Sequence, residues 1–194
     1  MNTAGLSQKN RISGGLIDRS KPLNFRFDGQ LYTGFCGDTL ASALLANNVR
    51  LVGRSFKYHR PRGILTAGSE EPNALVTIGS GASEDPNCRA TTTELFDGLK
   101  AKSQTKIGLL SFDLMAINDL LSPILGAGFY YKTFMWPKSF WYHVYEPFIR
   151  KAAGMGRASL DPDPDRYEHQ YEHCDILVVG SGPSGIASAL SAAK

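Results

Sequence analysis

Residues 23–48 read Leu23-Asn-Phe-Arg-Phe27, Asp28-Gly29, Gln30-Leu-Tyr-Thr-Gly-Phe35 and, past Cys36-Gly37, Asp38-Thr-Leu-Ala-Ser-Ala-Leu-Leu-Ala-Asn-Asn48. The first run alternates apolar and polar side chains, the period of a strand with one buried face. Asp28-Gly29 is a two-residue hairpin signal, and the alternation resumes behind it. Asp38 and Thr39 then offer an N-cap. Leu40, Ala43, Leu44 and Ala46-Asn47 follow at i, i+3, i+4 spacing, and the Asn pair suits a helix C-terminus. The stretch predicts a hairpin followed by a helix.

Working outward, Val49–Val52 and Ala74–Ile78 read as further strands. A last pair, Arg89–Phe96 and Leu99–Ser103, flanks the turn signal Asp97-Gly98. Hairpin, helix, then more strands is the order of a β-grasp domain in the α+β class, predicted over 1–104. From Thr105 to Gly128 the period turns helical. Residues 129–148 then hold half of all the aromatic side chains of the chain. Such a segment wraps between domains or meets a partner or cofactor. With Asp161-Pro-Asp-Pro-Asp165, a stiff charged linker by composition, it makes 105–171 a connecting segment.

The chain has 194 residues, 42% hydrophobic and 20% charged, with a net charge of +3. That excludes a wholly disordered or collagen-like chain, and it gives no electrostatic reason to expect nucleic acid. Cys36, Cys88 and Cys174 are sparse and contain no C-x-x-C pair, which fits a reducing compartment better than a disulfide framework. The first residues hold no apolar leader. The most apolar stretch, Ile107–Tyr131, is broken by Asp113, Asp119 and Pro123. A bilayer span needs about 20 nearly uninterrupted apolar residues. The expectation is a cytoplasmic protein with no membrane contact.

One motif carries chemistry. Cys174-Asp-Ile-Leu-Val-Val-Gly180-Ser-Gly182-Pro-Ser-Gly185-Ile-Ala-Ser-Ala-Leu places a G-x-G-x-x-G after an apolar run and at the head of an Ala/Leu-rich one. In the dinucleotide fingerprint the first glycine makes the turn, the second admits a pyrophosphate, and the third lets helix pack on strand. Pro183 suits the first helical turn. Gly180, Ser181, Gly182, Pro183, Ser184 and Gly185 are therefore the candidate cofactor-binding residues. The ribose-binding acid would lie about 20 residues further on. Residues 172–194 thus read as the first βα unit of a truncated Rossmann-type α/β domain.

Other clusters are weaker. Arg50, Arg54, Lys57, His59, Arg60 and Arg62, with Phe56 and Tyr58 interleaved, form a basic run that reads as a solvated strand or a docking face. His169 and His173 have ligand spacing beside Glu168 and Glu172, but with no third ligand they read as a surface linker helix. Asp113 and Asp119 stand six apart, off one helical face. No catalytic residue and no metal ligand is assigned.

Gly37-Asp-Thr-Leu-Ala-Ser-Ala-Leu-Leu-Ala-Asn47, the block Gly53–Val76 and Gly128-Phe-Tyr-Tyr-Lys-Thr-Phe-Met-Trp-Pro137 resemble the α-subunit family of heterotetrameric sarcosine oxidases. The resemblance implies an enzyme that oxidatively demethylates sarcosine to glycine, with tetrahydrofolate as one-carbon acceptor and oxygen as electron acceptor. It implies β, γ and δ partner subunits, NAD (or FAD) on this subunit, and FAD with FMN on the partner. The N-terminal unit also resembles a plant-type [2Fe–2S] ferredoxin domain. There the ligand positions fall on Thr66, Glu71, Ala74 and Thr91, none of them a thiolate, so no iron–sulfur cluster is expected. The alternatives are a subunit of a dye-linked amine, opine or glycine dehydrogenase, and a non-catalytic assembly module with a structural nucleotide.

Overall fold

The hairpin forms where the alternation places it. Strand β1 (Asp18–Phe27) pairs antiparallel with β2 (Gln30–Cys36), closing at Phe27↔Gln30. The turn is Asp28 at φ 49° and Gly29 at φ 84°, two positive φ values whose twist matches that of the strands. Phe25 and Phe27 point inward while Asn24 and Arg26 face solvent. The computed structural model describes residues 8, 10–123, 126, 128 and 134–194.

Helix α1 (Leu40–Ala46) lies across this sheet. Thr39 is its N-cap, and a reciprocal capping box joins it to Ser42. Capping of this kind stabilises a helix by about 1 kcal/mol. Leu40, Ala41, Ala43, Leu44 and Ala46 are buried. At the far end the Asn47 amide donates to the carbonyls of Ala43 (2.7 Å) and Thr33 (2.8 Å). Gly34 is required beneath the helix: a Cβ there would strike the Leu95 side chain and lie 3.0 Å from Ala43 Cβ.

After α1 come the two-residue ribbon β3 (Gly53–Arg54) with β4 (Pro61–Arg62), then β5 (Leu75–Ile78), β6 (Asp85–Arg89) and β7 (Lys100–Ser103). The main sheet runs β2-β1-β7-β5-β6. β7 is parallel to β1, whereas β5 is antiparallel to both β7 and β6. The mixed sheet over one helix is an α+β, ferredoxin-like arrangement. Phe25, Phe27, Leu40, Leu44, Val52, Val76, Leu95 and Leu99 form the core, each large side chain stabilising the fold by about 1.5–3 kcal/mol through burial.

Three expectations are corrected. Val49–Val52 is not a strand. Pairing begins at Gly53, with Val52 N–H already donating to Arg62 O. Arg89–Phe96 is strand only at its first residue, because residues 90–95 fold back to serve α1. Leu40 N–H donates to Thr93 O and Ala41 N–H to Ala90 O (both 2.9 Å), and so the open amides of the helix start are satisfied. Between Thr105 and Gly128 the described helix is short: one 3₁₀ turn (Leu114–Ala116) and α2 (Ile117–Leu120). Ile117 and Leu120 are exposed, so no buried stripe extends the helix. Of the aromatic segment, 129–133 lie outside the described residues. Within the rest, a π-helical turn (Trp141–Tyr145) runs into α3 (Glu146–Ala152).

The chain divides into two compact units, Met1–Asp163 and Pro164–Lys194. In the second, α4 (Pro183–Ala192) begins from Gly182 as N-cap. The strand expected at Ile176–Val179 is absent: Ile176, Leu177 and Val179 are exposed and no described residue pairs with them. A strand of this kind exists only through its neighbours in a sheet. Nor is there a helix at His169–His173, where every side chain is exposed.

Candidate functional site

The loop from Gly63 to Asn73 is organised by one carboxylate. Glu71 is 2% exposed. Its Oε2 accepts from the backbone N–H of Leu65 (2.8 Å) and Thr66 (2.6 Å) and from the Thr66 hydroxyl (3.4 Å), and Oε1 accepts from Asn73 N–H (2.8 Å). Burial alone would raise its pKa, but the backbone donors Thr66, Asn73 and Leu65 outweigh it and hold the carboxyl below its ordinary value. Thr91 Oγ donates to Gly68 O at 2.7 Å, and Ala74 is fully buried. The resemblance's four ligand positions therefore do surround one loop.

The basic run grips its own chain. Arg54 donates to the carbonyls of Leu110 (3.0 and 2.7 Å) and Ser111 (3.2 Å). His59 Nδ1 lies 3.1 Å from Asp113 Oδ2, both side chains buried, and Arg60 donates to Asp119 Oδ1. Asp113 and Asp119 are thus held apart by separate bases. Cys88 Sγ donates to Asp85 Oδ2 at 3.1 Å. Burial first, then Asp85, pushes this thiol up to about 11, so it is a weak nucleophile and a reluctant ligand near neutrality.

The six glycine-motif residues lie at the start of α4, with no strand before them. Gly180 sits at φ 116°, and a Cβ on Gly185 would collide with the Gly180 carbonyl. Pro183 opens α4 at the position where its missing N–H is not needed. Ser181, Gly182 and Ser184 are exposed. His169, His173, Glu168 and Glu172 form no ligand set, and no group of three or more His, Cys, Asp or Glu that could hold a metal occurs among the described residues. None of the described helices is long and apolar enough to cross a membrane.

"Sarcosine oxidase subunit alpha" of Rhizobium meliloti (strain 1021) is 63% identical over 180 residues, 93% of this chain. The chain is a homologue of sarcosine oxidase α subunits. The proteins of that name from Corynebacterium sp. strains U-96 and P-1 are 35% and 33% identical over 95% and 92% of this chain. The chain spans 18% of the length of the Rhizobium α subunit and 14% of each Corynebacterium one. A family model described as a 2Fe-2S iron-sulfur cluster binding domain matches residues 20–106. A solved chain titled L-proline dehydrogenase from P. horikoshii aligns at 26% identity and TM-score 0.36, covering 44% of this chain and 16% of that one.

The family match overturns the cofactor expectation of NAD on this chain with no iron–sulfur cluster. What it supports is a domain of the 2Fe-2S binding type, and none of the comparisons supports NAD or FAD. Such clusters are held by Cys thiolates. Within residues 20–106 the cysteines are Cys36 and Cys88, on β2 and β6 at opposite edges of the sheet. The donor set around Glu71 does not fit a thiolate-held cluster. Sequence reading named Glu71 only as a ligand position. Its role as a hydrogen-bond hub depends on residues two to six positions away closing the loop around it, and the His59–Asp113 pair on residues 54 positions apart being folded together.

Proposed function

We propose that this chain forms part of the α subunit of a multi-subunit sarcosine oxidase, an oxidoreductase that demethylates sarcosine to glycine. In this reading β, γ and δ subunits complete the assembly, the one-carbon unit passes to tetrahydrofolate, and oxygen takes the electrons. The reading is carried by the 63% identity, which runs through both the ferredoxin-like region and most of the remainder.

Within that enzyme the described residues have two tasks. The α+β body supplies a rigid surface for assembly, with the Glu71 loop held from within by backbone hydrogen bonds. Residues 172–194 begin a Rossmann-type domain in which Gly180, Ser181, Gly182, Pro183, Ser184 and Gly185 cradle a phosphate group. A positive φ at the turn and a glycine where helix meets turn support this role, because open amides at a helix start favour anions. No side chain here is assigned acid, base or nucleophile.

The test is to express the complete subunit with its neighbours, purify the assembly, and measure sarcosine-dependent oxygen consumption with glycine formation. Turnover on sarcosine is expected. An assembled complex that oxidises another amine with dyes but not with oxygen would refute the proposal.

A further inference from the structure

We infer that residues 109–121 form an apolar docking ridge for a later part of the same polypeptide. The inference rests on the reading that the chain belongs to a longer subunit. Leu109, Phe112, Leu114, Ile117, Leu120 and Leu121 are between 42% and 80% exposed. Asp113, between Phe112 and Leu114, points the other way: it is 6% exposed, accepting from Ile107 N–H (3.0 Å) and Met115 N–H (2.8 Å) and meeting His59. Arg54 holds the carbonyls of Leu110 and Ser111, Arg60 holds Asp119, and the Asn118 amide donates to Lys57 O. Asp113 and Asn118 thus anchor the segment from beneath while six large apolar side chains stand outward; Leu110 packs on the core, and Ser111 and Asp119 lie exposed at the edge of the ridge.

This orientation is maintained against local cost. His59 adopts φ +51° and is buried with Nε2 unpartnered, conformational and polar costs that persist only where surroundings impose them. A contiguous run of large exposed apolar residues marks an interaction surface. Within 109–121 there is no Lys or Arg and the only helix has four residues, unlike the basic amphipathic helices that lie on lipid. The occupant is therefore an apolar protein surface. The Rhizobium relative is more than five times the length of the matched span, and a segment on the same polypeptide meets the ridge intramolecularly, without the association cost that a separate subunit bears. That favours an occupant from the same chain over a separate subunit.

The test places a photo-crosslinking phenylalanine analogue at Leu120, and separately at Phe112, in the complete subunit within its purified assembly. Crosslinked peptides are identified by mass spectrometry. At both positions the expected crosslinks join the ridge to residues beyond 194 of the same polypeptide. In Leu120→Glu, amide exchange across 109–121 should speed up at least tenfold while β1 and β7 stay protected. Crosslinks to another subunit, to a second copy or to lipid, or none at all, overturn the ridge and leave the proposed function standing. A purified subunit no longer than this chain overturns both.

Discussion

Replacing Glu71 by Ala removes the acceptor for three backbone amides at once. Hydrogen bonds to a charged group contribute about 1.5–3 kcal/mol each, so the amides of Leu65, Thr66 and Asn73 together account for roughly 4.5–9 kcal/mol at most. Water entering the vacated space recovers part of this, leaving about 3–5 kcal/mol, the usual cost of breaking a buried charged arrangement. For a unit the size of Met1–Asp163 that corresponds to a fall in melting temperature of roughly 6–20 °C. Glu71→Gln keeps one acceptor oxygen but turns an NH₂ toward amide donors, so it should fall between Ala and wild type. Because the folded carboxyl titrates below its ordinary range, its stabilisation is fully present above that range. It is lost as pH falls through the folded value, and in Glu71→Gln this acid dependence should flatten. The assay is thermal melting of the complete subunit between pH 3 and 7, with amide exchange read at 63–74. If Glu71→Ala melts within about 1 °C of wild type and exchange in the loop is unchanged, the hub assignment is wrong.

Asp38 is buried, accepts from the two terminal guanidinium nitrogens of Arg11 (2.9 and 2.7 Å), and accepts from Ser42 Oγ and Phe35 N–H. Asp38→Ala should cost about 3–5 kcal/mol and expose 10–17 to protease, checked by denaturant titration and limited proteolysis. Gly34→Ala should cost about 1–3 kcal/mol through overpacking against Leu95 and Ala43, and a full-sized compensating gain in Leu95→Ala would locate the clash. At pH 8 iodoacetamide should label Cys88 about a hundredfold more slowly than an ordinary exposed thiol, by peptide mass spectrometry; equal rates would refute the burial argument. Gly185→Val should open the elbow and lower at least tenfold the phosphorus retained by the subunit carrying this chain after it is separated from its partners, and undiminished content there would remove the elbow from the site.

Local rules sufficed where one residue's chemistry acts on its neighbours. The alternation around Phe25 and Phe27, the Asp28-Gly29 turn, the Thr39 cap and the glycine spacing at 180–185 are all short-range, and each was legible in order along the chain. Arg89–Phe96 looked like a strand by composition, yet its carbonyls were needed at the start of α1, a demand set by residues some fifty positions earlier. The same holds for Asp113, which gave no signal until His59, 54 positions earlier, was folded against it; the donors to Glu71 are only two to six positions away, yet they converge only when the loop closes. Periodicity records which face of a segment is apolar. Whether that face is buried, paired or left outward, as along 109–121, is decided by backbone groups and charges brought together from distant positions, whose desolvation must be met wherever the fold places them.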